Sequence, residues 1–131
     1  MRAEVISIGD EIITGQRLDT NSQWLSRELG DLGIRVLFHT TVGDELDANV
    51  EVFRQAIRRA DIVVVTGGLG PTADDLTRDA LAAVAWKRLV LHQPSLQHIE
   101  RLFARRTRSM PNNCGAARAT IPSQNRRAHR A

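Results

Sequence analysis

Apolar and polar positions alternate along this chain in a regular succession of short runs and helical stripes. Ala3 to Ile8 is an apolar run that stops at Gly9, and it reads as a first strand. Asn21 is a good N-cap for a helix whose apolar residues are Trp24, Leu25, Leu29 and Leu32, with Gly33 as its stop. Ile34 to Val42 reads as a second strand, alternating at first through Ile34, Val36 and Phe38, and Gly43-Asp44-Glu45 makes the turn after it. Asp47 is placed to cap a helix with Val50, Phe53, Ala56 and Ile57 on one face. Asp61 leads into the β-branched run Ile62–Thr66, the pattern of a strand buried on both faces. Three glycines follow, then a helix to about Ala85 with Leu76, Ala80, Leu81 and Val84 as its stripe. Arg88 to Leu91 fits a short strand. Pro94 suits a helix N1 position, and Leu96, Ile99, Leu102 and Phe103 carry that helix to about Arg108. The order β-α-β-α-β-α-(β)-α predicts an α/β fold with a mostly parallel sheet and helices on both faces.

From Met110 the periodicity is lost. Residues 110–131 read as a basic, irregular and disordered tail with an isolated Pro122, following one domain over residues 1–109. Charge divides the same way. The 18 Lys+Arg and 15 Asp+Glu give a net +3, yet all the acids lie in residues 1–100, which carry 10 of the bases and a net −5. Residues 101–131 hold the other 8 bases and a net +8. The chain is therefore an acidic body with a basic end. Such an end can bind nucleic acid, but this one lacks the aromatics that stack on bases, and the body repels the same phosphates, so nucleic acid is disfavoured as a partner. The single cysteine, Cys114, excludes an internal disulfide and points to a reducing cytoplasm. No apolar run approaches the ~20 residues of a membrane span.

Candidate chemistry collects at three strand ends: Gly9-Asp10-Glu11, Gly43-Asp44-Glu45, and Gly67 to Asp75. Ligands of open parallel sheets bind beyond the carboxyl ends of the strands, so these loops share one rim. A strand, a glycine turn and a helix N-terminus make an anion-binding corner. Gly68-x-Gly70-x-x-Ala73 matches a loose dinucleotide fingerprint. It follows the third strand rather than the first, Pro71 interrupts it, and no acid ends a strand ~20 residues on, so a nicotinamide cofactor is excluded. There is no P-loop. Asp74 and Asp75 in a first helical turn can simply complement the helix dipole. The functional alternative is that Asp10, Asp44 and Asp75 crowd one rim and hold Mg²⁺ or a similar divalent cation against a phosphate. Asp19-Thr20-Asn21-Ser22 reads first as a helix cap, with Asn21 as a ligand hydrogen-bonder in the alternative. His39 has no second ligand at metal spacing, His92, His98 and His129 are scattered, Cys114 has no partner for nucleophilic work, and Trp24 and Trp86 read as packing residues.

The segments SIGDEIITGQRLDTNSQWLSREL, TVGDE and ADIVVVTGGLGPTADDLTRDA resemble the N-terminal domain of the competence/damage-inducible protein A (CinA) family, itself similar in fold to the molybdopterin-binding domains of molybdenum cofactor biosynthesis. The resemblance runs from Met1 to about Asn113 and implies a three-layer α/β/α sandwich. It implies active-site roles for Asp44 and Asp75. A pterin or nucleotide would be bound by Gly9, Asp10, Glu11 and Gly15 of the first loop, by Asn21, and by Thr66, Gly67, Gly68, Gly70, Pro71, Thr72, Asp74 and Thr77 around the glycine turn. The family activity it implies is a metal-dependent ADP-ribose pyrophosphatase; the alternative is a non-catalytic pterin- or nucleotide-binding module, or an inactive remnant. Relatives of the fold form homo-oligomers, which is an analogy only. A second, deamidating domain carried by many members has no counterpart here. Beyond Asn113 the sequence departs from the family pattern, and CGAARATIPSQNRRAHRA reads as a shifted frame or decayed gene.

Overall fold

The computed structural model describes residues 1–105, 110 and 119–123. Three parallel strands form the central sheet in the order β2-β1-β3: β1 (Arg2–Ile8), β2 (Arg35–Val42) and β3 (Ile62–Thr66). β1 pairs with β3 from Ala3↔Ile62 to Ser7↔Thr66. Against β2 the register slips once, between Ala3 and Glu4, leaving Leu37 as a bulge. Helices cover both faces, as the alternation predicted. On one face Ile6 and Ile8 of β1 and Val42 of β2 pack on Val50, Phe53 and Ala56 of α3 (Leu46–Arg59) and on Ala80 of α4 (Thr77–Val84). On the other face Ser7 meets Ser22 of α2 (Thr20–Asp31). A single short turn, α1 (Asp10–Ile13), follows β1.

The doubly buried strand is β1, not β3. Every residue of β1 after Arg2 is buried, while all five positions of β3 are only half-buried. The β-branched run has the pattern of a strand buried on both faces. Position decides instead: β1 has a neighbour on each side, and among the described residues β3 has only one. Glu4 sits in the middle of β1 with no exposed surface. Arg59, at the end of α3, donates to it twice, at 2.8 and 2.6 Å, and Thr40 donates at 2.6 Å. The guanidinium also lies over the Phe38 ring, 4.1 Å from its centroid. Burial pushes the Glu4 carboxyl up, but these hydrogen bonds and the Arg59 charge outweigh it and hold the group below its ordinary value.

Several caps differ from the sequence reading. Asp19, rather than Asn21, caps α2, its carboxylate accepting from the Ser22 N–H at 2.9 Å. Glu45 rather than Asp47 precedes α3, and α4 begins at Thr77, leaving Asp74 and Asp75 in the preceding turn. Gly33 does end α2, at φ +77°, in the left-handed region where glycine is at ease. Trp24 and Trp86 are not core residues; they are 60% and 80% exposed.

After α4 the chain makes β4 (Leu89–Leu91) and α5 (Gln93–Arg105). β4 does not join the parallel sheet. It pairs antiparallel with β5 (Thr120–Pro122), from Leu89↔Pro122 to Leu91↔Thr120, so a strand lies where the sequence showed no periodicity. Ala119, beside it, is fully buried. Three residues are too few for an alternation to be read, and Pro122 argues locally against a strand. The expected helix end at Arg108 and the rest of the tail lie outside the described residues.

Candidate functional site

The carboxyl ends of β1 and β3 open into a cleft of ≈ 260 Å³, walled by the first loop and the start of α2. Its lining includes Glu11, Arg17, Asp19, Asn21, Thr66 and Gly67. Four of the residues expected from sequence therefore meet here: Glu11, Asn21, Thr66 and Gly67. The Asn21 amide donates to the Thr66 hydroxyl at 3.3 Å, tying α2 to the end of β3. Arg17 faces Glu11 loosely, at 4.0 Å, with both side chains well exposed. Beneath the cleft, Ser7 donates to Asp19 at 2.6 Å and lies 2.7 Å from the Ser22 hydroxyl. Burial pushes the Asp19 carboxyl up, but hydrogen bonds from Ser22 and Ser7 and the nearby His39 carry it below its ordinary value. Arg17, Asp19 and Leu18 were not singled out as ligand contacts. Part of the signal lies in Asp19-Thr20-Asn21-Ser22, which reads first as a helix cap with Asn21 as a ligand hydrogen-bonder in the alternative; Arg17 and Leu18 just before it carry no such pattern.

The glycine turn is built for close backbone approach. Gly67 has φ +98°, and a Cβ there would lie 2.0 Å from the Ile8 carbonyl oxygen. Thr77 donates its hydroxyl to the Gly67 carbonyl at 2.8 Å and its N–H to the Gly68 carbonyl at 3.2 Å, so α4 is hung from the turn. Gly68 at φ +58° also leaves no room for a side chain against Thr77.

The acidic residues separate into two arrangements. Asp10 and Asp44 do meet: the Asp10 N–H donates to Asp44 Oδ2 at 3.1 Å, and the Asp44 N–H to Asp10 Oδ1 at 3.0 Å. This reciprocal latch joins the first and second loops, and Gly43 leaves the space that the Asp10 carboxylate fills. Gly9 adds a backbone bond to the Val42 carbonyl at 3.0 Å. Asp75 instead organises its own turn. It accepts from the Gly70 N–H at 2.7 Å, the Thr72 N–H at 2.9 Å and the Thr72 hydroxyl. Burial raises its pKa, and those bonds, with Arg78 nearby, more than reverse the shift, so the carboxyl stays below its ordinary range. Arg78 pins the same turn by donating to the carbonyls of Leu69 and Gly70 at 3.1 and 2.8 Å. Among the described residues no three His, Cys, Asp or Glu side chains are grouped to hold a metal. The described structure does not group Asp10, Asp44 and Asp75 around one point. Two of them latch loops and the third caps a turn, because N–H groups compete for the same oxygens. Gly15, Gly70, Pro71, Thr72, Asp74 and Thr77 likewise stand outside the cleft lining, as do Gly9 and Gly68.

Residues 4–128 match the family model described as a probable molybdopterin binding domain. The chain belongs to that family. The crystal structure of CinA from Thermoplasma acidophilum superposes with a TM-score of 0.84 at 31% identity, over 92% of this chain and 70% of that one. This is a CinA-type domain, as the sequence motifs implied. A CinA-like protein of Dictyoglomus turgidum is 51% identical over 106 residues, 81% of this chain but 26% of its own length. The chain thus spans about a quarter of the curated relatives it matches. The tungsten cofactor synthesizing protein MoaB from Pyrococcus furiosus shares the fold, with a TM-score of 0.61 and 25% identity over 81% of this chain and 63% of that one. The family match continues past Asn113, where the resemblance read from sequence stops. No described helix is long and apolar enough to cross a membrane.

Proposed function

We propose that this CinA-type domain binds a phosphate-bearing pterin or nucleotide in the cleft at the carboxyl ends of β1 and β3. The observation that carries this reading is the lining itself: one cation, Arg17, an amide at Asn21, a hydroxyl at Thr66 and the glycine backbone converge on one hollow at the strand ends. That is where open parallel sheets take their ligands, and the family's description as molybdopterin binding supports the pterin class. Arg17 is held by only a loose ion pair and is free to turn to a phosphate at little cost. The Asn21–Thr66 bond is long enough to be exchanged for one to the ligand.

Calorimetric titration with a pterin phosphate and with ADP-ribose tests this. Arg17→Ala and Asn21→Ala are each expected to weaken binding about tenfold, the loss of one charged or polar contact. Undiminished affinity in both would sink the assignment. A hydrolytic reading, in which Asp10, Asp44 and Asp75 hold a divalent metal against the pyrophosphate of ADP-ribose, draws on the proximity of Asp10 and Asp44 at the rim. As folded, those carboxylates are spent on backbone N–H groups, so binding is the better-supported reading. Mg²⁺-dependent release of AMP that Asp75→Asn abolishes would reverse that ranking.

A further inference from the structure

A second hollow lies away from this cleft, at the far end of α4. It has a volume of ≈ 680 Å³, and Arg54 of α3, Trp86, Lys87, Arg88, Val90 and Ser123 are among its lining residues. Among the described residues three cations and no acid line it, on a body whose first 100 residues are net acidic.

Trp86 is its unusual member. α4 ends in a Schellman arrangement: Lys87 N–H donates to the Ala82 carbonyl at 2.9 Å and Trp86 N–H to the Ala83 carbonyl at 3.2 Å. The residue after the cap in this arrangement adopts the left-handed conformation, which is why glycine usually stands there. Here it is Trp86, at φ +53°, the only described non-glycine residue with positive φ. The left-handed backbone is a cost for a bulky residue, and the ring is 80% exposed, so packing within the chain does not offset it. Lys87 and Arg88 have a plain role at a helix C-terminus, where cations complement the dipole. That role explains neither the aromatic ring nor Arg54, which comes from a different helix.

We infer that this groove is a second binding site, for the base and phosphate of a nucleotide unit. Trp86 offers a stacking face, and Arg54, Lys87 and Arg88 supply the charge for the phosphate. Stacking tolerates any base, and cations at its edge fix the backbone. The unit comes from a free nucleotide or from a single-stranded nucleic acid; the chemistry is shared, and the test separates the sources.

Trp24→Phe leaves Trp86 as the one tryptophan. In that background ADP and a single-stranded oligodeoxynucleotide are titrated into the full chain at low salt while fluorescence is read. Saturable quenching by ADP supports a free-nucleotide site, and quenching by the oligonucleotide alone supports a polymer site. In calorimetry, Trp86→Gly is expected to weaken binding about tenfold while raising the thermal midpoint by about 3 °C, because glycine is at home in that backbone. This variant therefore does not lose binding through unfolding. Arg54→Gln is expected to reduce affinity and its salt dependence together. Absence of quenching by both ligands overturns the inference. So does binding that persists in Trp86→Gly but disappears when Arg126, Arg127 and Arg130 are changed to Gln. Asn21→Ala, in the other cleft, leaves the Trp86 signal unchanged, so failure of one site does not imply failure of the other.

Discussion

β1 and α5 are both clearly patterned in the sequence, but they end up in opposite environments. Six consecutive residues of β1 are buried, including a carboxylate with all its partners in place. α5 runs thirteen residues with a strong apolar stripe and buries none of them; Leu102 remains 44% exposed. Amphipathic periodicity states which face would be buried, not whether anything covers it. β1 is flanked by two strands and covered by α2, α3 and α4. The difference teaches where this chain is brittle. In β1 the buried side chains of Glu4 and Ser7 are both committed to partners, so a change there leaves something buried without one. On α5, where Leu96, Ile99 and Phe103 are only half-buried, a change at an exposed position such as Leu102 meets water.

Removing Arg59 strikes hardest at the committed region. Arg59→Ala leaves the buried Glu4 with Thr40 but without its charged partner, and is expected to give the largest loss of unfolding free energy among these variants in urea. A loss under about 1 kcal/mol would mean that Glu4 is not sealed as described. Gly67→Ala comes next, at about 3 kcal/mol, because its methyl meets the Ile8 carbonyl and its φ is left-handed. Retention of the wild-type melting curve would show that the turn relaxes freely. Asp19→Ala removes the α2 cap and is expected to cost about 1–2 kcal/mol, accompanied by weaker ligand binding at the cleft that Asp19 lines. Leu102→Asp on α5 should fall within about 0.5 kcal/mol of wild type. A larger loss would show that the face is covered and would erase the contrast.

Acid sharpens the same contrast. Glu4, Asp19, Asp61 and Asp75 all have folded pKa values below their ordinary ones. In acid the unfolded chain therefore binds protons that the folded chain refuses. The stability these groups contribute is complete above the usual carboxylate range and is lost as pH falls through the folded values. Unfolding free energy measured from pH 7 down to pH 3 should decline below about pH 4. In Arg59→Ala that decline should shrink, since Glu4 has lost the partner that held its proton affinity down.

The order of strands and helices was legible because each element carries its own period and its own stop: Gly33 after α2, Asp61 before β3, the glycines after it. The CinA-type motif was legible for the same reason, since its residues are contiguous. Part of the cleft was readable too, in Glu11, Asn21, Thr66 and Gly67, which lie where loops leave strands. The roles of the aspartates were not. A carboxylate in a turn has the same spelling whether it holds a cation or an N–H group, and only the fold shows that Asp10 and Asp44 bond to each other's backbone while Asp75 bonds to Gly70 and Thr72.

By itself the sequence determined the elements and the alternation that makes a parallel sheet with helices on both faces, because those depend on neighbours within a few residues. Tertiary structure decided that β1 is the central strand, that Glu4 finds Arg59 fifty-five positions away, that Thr120–Pro122 pairs with Leu89–Leu91, and that Trp86 faces solvent. Those outcomes rest on which surfaces meet. Burial and long-range hydrogen bonding are properties of pairs, and a pair distant in sequence carries no local period by which either member can be read.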